Sequence, residues 1–170
     1  MSGSFEEEFD GLFRAQFPRL FRYLDRLSGD AEMARDLAQD TFVRLLRRGA
    51  RPDQPEAWLI TVATNLWRNA RATKSRRARL LGAAHSDDEL ADPAGSPSGE
   101  VEAGETRTQV RAAMRRLTDR DQQLLLLMAE GYRYREIAQA TGINEASVGT
   151  LLARAKRAFR DAYEGRRDAS

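Results

Sequence analysis

Between Gly82 and Thr106 the chain is built from Gly, Ala, Ser, Pro and acidic residues, with scarcely a large apolar side chain among them. Such a stretch cannot bury enough surface to offset the entropy of ordering it. It therefore cuts the sequence into two blocks, 1–81 and 107–170, that each need a core and are each small enough to be only modestly stable. Residues 82–106 read as a flexible linker. The alternative, a solvated surface loop within one domain, demands a length that is uncommon in compact folds. Charge follows the same division: basic and acidic side chains number 15 and 11 in residues 1–81, 0 and 7 in 82–106, and 13 and 8 in 107–170. Two basic blocks flank an acidic one, a pattern that the formal net charge of +2 conceals.

Both blocks carry helical periodicity. Phe5, Phe9, Leu12, Phe13, Phe17, Leu20, Phe21 and Leu24 recur at helical spacing, with Pro18 expected to kink or break the helix. Asp30 is placed to cap a second helix that carries Met33, Ala34, Leu37, Phe42, Leu45 and Leu46 and ends near Gly49. Pro52 and Pro55 shape the following loop, and a third helix spans about 56–79 with Trp58, Leu59, Val62, Ala63 and Leu66 as its apolar stripe. In the second block Val110, Ala113, Met114 and Leu117 precede Thr118 and Asp121, which stand in capping-box spacing. The helix that starts there carries Leu124 to Met128 and stops at Gly131; a short helix over about 134–141 follows, then a last one capped by Asn144 and reaching about Tyr163. Strand signals are missing throughout. The expected fold is all-α, two small helical domains joined by a flexible linker.

Composition removes several functions. With no cysteine and a single histidine, His85, there is neither a disulfide framework nor a thiolate or histidine metal site. The longest apolar run, Leu124 to Ala129, falls far short of the ~20 residues of a membrane span, and the amino terminus is acidic and aromatic where a signal region is basic. A cytoplasmic protein is expected. No phosphate-binding glycine loop with its lysine and no nucleophile elbow is present, so the chain reads as a binding protein without cofactor and not as an enzyme.

Ala138, Gly142 and Val148 fall at the small, turn and buried positions of a helix-turn-helix, with Ile137, Ile143 and Leu151 expected in its core. The small residue lets two helices cross closely, the glycine permits the tight turn, and the apolar residues fix the second helix, whose amino-terminal residues can then enter a major groove. An ordinary helical hairpin is the competing reading. The run from Tyr134 to Ile143, followed by Ser147-Val148 and Arg154-Ala155-Lys156, resembles the carboxy-terminal DNA-binding region of sigma factors of the extracytoplasmic-function (ECF) type in the sigma-70 family. The first block resembles the same family: Asp36-Leu-Ala-Gln-Asp-Thr-Phe42 is similar to its polymerase-docking segment, and Pro55-Glu-Ala-Trp-Leu59 with Asn65-Leu66 to its promoter-melting helix.

The resemblance implies residues 1–81 as sigma region 2, 82–106 as the linker and 107–170 as sigma region 4. It implies core RNA polymerase as partner, through the clamp helices of the largest subunit and the flap of the second-largest, with promoter DNA as ligand and, in many members, an anti-sigma protein as inhibitor. Asp36, Gln39 and Asp40 would touch polymerase, and their i, i+3, i+4 spacing puts them on one helical face; without the resemblance a solvated polar face explains them equally well. The loop 47–56 would cradle a base flipped from the -10 element, with Arg47, Arg48, Arg51 and Asp53 as contacts. Asn65 can both donate to and accept from a base edge. Trp67 is a candidate for base stacking, whereas Trp58, on the apolar stripe, reads as core. Arg68, Arg71, Lys74, Arg76, Arg77 and Arg79 follow without an interspersed acid, which suits phosphate neutralisation.

The recognition helix departs from the family. Relatives usually carry basic residues where this chain has Gly149 and Leu151, and often a polar one at Ala153. Recognition of the -35 element then rests on Asn144, Glu145, Ser147 and Thr150, with Arg154, Lys156 and Arg157 on phosphates. Two alternatives stay open: a helix-turn-helix regulator that never joins polymerase, and a polymerase-binding protein without independent promoter recognition.

Overall fold

The computed structural model describes residues 2–82 and 101–168, and its regular structure is entirely helical. Helices α1 (Ser2–Ser28), α2 (Ala31–Arg48) and α3 (Pro55–Leu80) make up the first block; α4 (Val101–Arg115), α5 (Asp119–Ala129), α6 (Tyr134–Thr141) and α7 (Glu145–Arg167) make up the second.

Local chemistry sets most of the boundaries. The Asp30 carboxylate accepts from the Met33 N–H at 3.0 Å, and Gly49, at φ 68°, turns its own N–H back onto the carbonyls of Leu45 and Leu46, a left-handed stop that suits glycine. Pro55 sits in the first turn of α3, where its missing N–H costs nothing. Contrary to expectation, α1 runs unbroken through Pro18. Pro18 is exposed, so the carbonyl it leaves without a partner can face water, while Leu12, Leu20, Tyr23 and Leu24 on either side are buried and keep both halves of the helix packed.

The α1–α3 bundle closes over Leu20, Tyr23, Leu24, Ala38, Leu45 and Ile60. Inside it the Tyr23 hydroxyl and Thr64 Oγ1 share a hydrogen bond of 3.0 Å. Phe9, Phe13 and Phe17 surround the ring of Phe42, with centroid distances of 5.9, 5.0 and 6.0 Å. The buried face of α3 is Leu59, Ile60, Ala63, Thr64 and Trp67, rotated by about one position from the expected stripe; Trp58, Val62 and Leu66 are half-buried.

Helix α4 starts at Val101, inside the stretch expected to be linker. Its last turn is anchored by the buried Ala113, with Leu117 just beyond, and packing against α7 lets the helix propagate back toward Val101. The remainder of the expected linker, 83–100, lies outside the described residues. Thr118 caps α5 by accepting from the Asp121 N–H at 3.2 Å, and Gly142, at φ 71°, makes the turn between α6 and α7. Ile137, Ala138 and Val148 are buried as expected, but Leu152 takes the core place expected for Leu151, which is half-buried. From Val148 the inward face of a 3.6-residue helix returns at 152 and 155, and Ala155 is indeed fully buried.

The two blocks meet. Helix α3 packs along α6 and α1 touches α5, so one continuous set of buried side chains runs through both.

Candidate polymerase and nucleic-acid interfaces

On α2, Asp36 and Gln39 are exposed side by side, while Asp40 is half-buried and paired with Arg44 at 3.6 Å. Val43 and Leu46, further along the same helix, are 40% and 50% exposed. A face with carboxylates at one end and uncovered apolar groups at the other can dock a protein surface by charge steering and burial together.

Arg47 and Arg48 in the last turn of α2 and Arg51 and Asp53 in the loop after it are all exposed. The Arg48 guanidinium lies 6.0 Å from the ring centroid of Trp58. A cavity of about 330 Å³ opens there between Arg48, Pro52, Asp53 and Trp58 on one side and Arg135 and Gln139 of α6 on the other. It has an aromatic wall and charged rims, the ingredients of a base pocket. Of the two tryptophans, then, Trp58 keeps an open face here, whereas Trp67 is 4% exposed and presents no ring for stacking. Trp67 is thus core and not a stacking ring, because the buried face of α3 is rotated, while Trp58 packs against the core and also lines this cavity.

Along α3, Asn65 is exposed with Arg68 Nη1 at 3.5 Å from its Oδ1. Lys74, Arg76, Arg77 and Arg79 are exposed in the last turns. Arg68 and Arg71 are engaged by the second block: Arg68 Nη2 donates to Gln123 Oε1 at 3.0 Å, and Arg71 pairs with Asp119 while lying 5.4 Å from the Trp67 ring centroid.

Residues that the sequence reading passed over build the rest of this junction. The Glu130 side chain, 5% exposed, accepts from Arg22 Nε at 3.1 Å and Arg26 Nη1 at 2.9 Å. Arg19 Nε donates to the Glu130 carbonyl at 2.8 Å, and its guanidinium lies 3.6 Å from the centroid of the Tyr132 ring. Burial pushes the Tyr132 phenol well above its ordinary value, against the pull of the Arg19 charge. One signal was available: Arg19, Arg22 and Arg26 stand at i, i+3, i+7, a single basic stripe on α1.

At the start of α7, Asn144, Glu145 and Thr150 are exposed around a shallow depression that Tyr134 and Gly149 also line, and Ser147 is exposed on the same turn. Asn144 Oδ1 accepts from the Ala146 N–H at 3.0 Å, which fixes the helix start. Arg154, Lys156 and Arg157 are exposed further along. A side chain begun at Gly149 would meet the Tyr134 ring at 3.5 Å, an ordinary contact, so no crowding demands glycine there.

Residues 12–77 match the family model described as sigma-70 region 2, and residues 107–159 that described as sigma-70, region 4. The chain is 33% identical over 148 residues to the ECF RNA polymerase sigma factor SigL of Mycobacterium tuberculosis, an alignment covering 83% of this chain and 80% of that one. It is 31% identical to the ECF RNA polymerase sigma factor SigE of Mycolicibacterium smegmatis over 89% of its own length and 60% of that protein's. Among solved structures, the co-crystal structure of the sigma factor RpoE in complex with the anti-sigma factor NepR from Bartonella quintana shares its fold, with a TM-score of 0.73 at 18% identity over 93% of this chain and 98% of that one.

Proposed function

This chain belongs to the sigma-70 family as an ECF-type sigma factor, a non-catalytic protein that binds core RNA polymerase for promoter-specific initiation, and we propose that its two blocks divide that task between the two promoter elements. The carrying observation is the order of the parts: a region 2 with an uncovered acidic and apolar face on α2, then a region 4 with a helix-turn-helix. In this reading Asp36, Gln39 and Asp40 dock on the clamp helices of the largest subunit, and the second block meets the flap of the second-largest. The Arg48–Trp58 cavity takes the flipped -10 base, helped by Arg47, Arg51 and Asp53, and Asn65 reads a neighbouring base edge. Arg68, Arg71, Lys74, Arg76 and Arg77 neutralise phosphates. Asn144, Glu145, Ser147 and Thr150 read the -35 element, and Arg154, Lys156 and Arg157 hold its backbone. Trp67 acts from the core, shaping the surface without stacking on DNA.

The protein works in the cytoplasm in this reading, where polymerase is; among the described residues no helix is long and apolar enough to cross a membrane. An anti-sigma protein is a fitting regulator, as NepR is for the Bartonella sigma factor. One observation favours a second reading: Gly149 and Ala153 bring no polar side chain to the recognition helix, as expected of a protein that binds polymerase but reads the -35 element weakly. Binding of core polymerase to wild type and to Asp36→Arg tests the docking face, with at least about tenfold weaker binding expected for the variant, since charge reversal turns attraction into repulsion. Transcription from a promoter with a scrambled -35 element separates the two readings, because loss of starts requires a working recognition helix.

A further inference from the structure

We propose that Tyr134 is a base-reading residue of the -35 contact: its ring and the bare backbone at Gly149 form the wall and floor of a depression that receives the 5-methyl group of a thymine in the major groove. The inference rests on the reading given above in which the helix-turn-helix reads the -35 element.

Nothing in the fold calls for glycine at 149. It lies in the second turn of α7 without a positive φ, where glycine weakens a helix. A Cβ built on it would stand 3.5 Å from Cε2 of Tyr134 and 3.9 Å from the hydroxyl, both ordinary contacts. The missing side chain instead leaves the Tyr134 ring, at the first position of α6 and 43% exposed, open across the surface of α7. Ala146 and Thr150 add their methyl groups to the same depression.

The chemistry of the lining selects among base pairs. No cation is present: besides the ring, the glycine and the two methyl groups, the depression is edged only by Asn144 and Glu145, and Asn144 Oδ1 is occupied by the Ala146 N–H. A guanine edge offers two acceptors, O6 and N7, and is read best by Arg or Lys; here it would meet an apolar wall and a carboxylate. An A·T pair offers the thymine methyl group together with the N6 donor of adenine. The methyl group suits the wall, and the exposed Glu145 can accept from N6. Cytosine brings a donor but no methyl group, so the ring separates thymine from cytosine.

Position agrees with this role. In a helix-turn-helix the second helix enters the major groove with its amino-terminal residues on base edges, while the first crosses the backbone. Tyr134 opens the first of these helices and touches the amino-terminal part of the second, at the edge of the groove. The competing role for a tyrosine so placed is a hydroxyl on a phosphate, which carries no sequence information.

The test uses the full chain bound to core polymerase, on duplexes selected from a library randomised over the -35 element. Each thymine of the selected element is replaced in turn by uracil, which removes the methyl group alone. One position should bind about fourfold more weakly, the worth of one methyl group withdrawn from water. Tyr134→Phe should keep that penalty and Tyr134→Ala should erase it. Gly149→Lys should also erase it, and turn the preference at the same pair toward guanine. Should Tyr134→Ala lower the thermal midpoint, Gly149→Leu, which fills the depression, carries the same test. Equal binding of uracil and thymine at every position, or a penalty that survives both Tyr134→Ala and Gly149→Leu, overturns the inference while the -35 reading stands; a uniform loss with Tyr134→Phe would then mark the hydroxyl as a phosphate ligand. A scrambled element that binds as well as the selected one defeats the -35 reading itself, and the inference with it.

Discussion

The Tyr23 hydroxyl bonded to Thr64 in the first core has a measurable consequence. Burial raises the Tyr23 phenol to about 12, with the Thr64 hydrogen bond and the Arg68 charge pulling the other way. The folded state then holds this proton longer than the unfolded chain does, whose tyrosines titrate near ~10. The stability it contributes is intact below pH 10 and is lost as pH rises toward 12, by up to about 1.4 kcal/mol per pH unit. Urea unfolding followed between pH 9 and 11.5 should show that fall, and Tyr23→Phe should make it shallower, the buried Tyr132 carrying the rest, while costing about 1–2 kcal/mol at neutral pH through the unpaired Thr64. The same pair explains why the buried face of α3 was misplaced in the sequence. Thr64 looks like a surface residue until its partner is known, and leaving it out rotates the stripe toward Trp58 and away from Trp67. Asp30, Gly49 and Gly142, by contrast, were legible because a cap or a left-handed turn is decided within a few residues.

Helix boundaries were legible where a cap sets them and not where packing does. The starts of α2 and α5 and the ends of α2 and α6 sit at capping or left-handed turn residues, and Asp30→Ala should cost about 1 kcal/mol, read as a lowered urea midpoint. Helix α4 starts earlier than composition allows because α7 supplies the partner, and α1 passes Pro18 because its flanks are buried. Within α7, Gly149 is a residue of helical backbone with space for a methyl group beside the Tyr134 ring. Gly149→Ala should therefore stabilise the protein by about 0.8–1 kcal/mol, seen as a higher thermal midpoint. A fall in that midpoint would mean that the Tyr134 ring needs the space. Leu151 lies partly in the core, so its departure from the family's usual basic residue alters packing as well as DNA contact.

At the scale of the molecule, the all-α class with a region 2 bundle and a region 4 helix-turn-helix was legible in the sequence. The junction was not, because its residues come from opposite ends of the chain and no local pattern links Arg22 to Glu130, 108 positions apart. Charge also governs how the whole protein meets DNA: binding should weaken steeply with salt, and Lys74→Ala should reduce the slope of log affinity against log salt by about one at every DNA sequence tested. Bringing polymerase to a two-part promoter is the central claim, and the most direct test is run-off transcription on a promoter library with purified core polymerase, with and without the protein and with Asp36→Arg beside it. Starts from one two-part sequence class are expected with wild type and none with the variant; no specific starts from wild type, or equal starts from both, would contradict promoter-directed initiation through the α2 docking face.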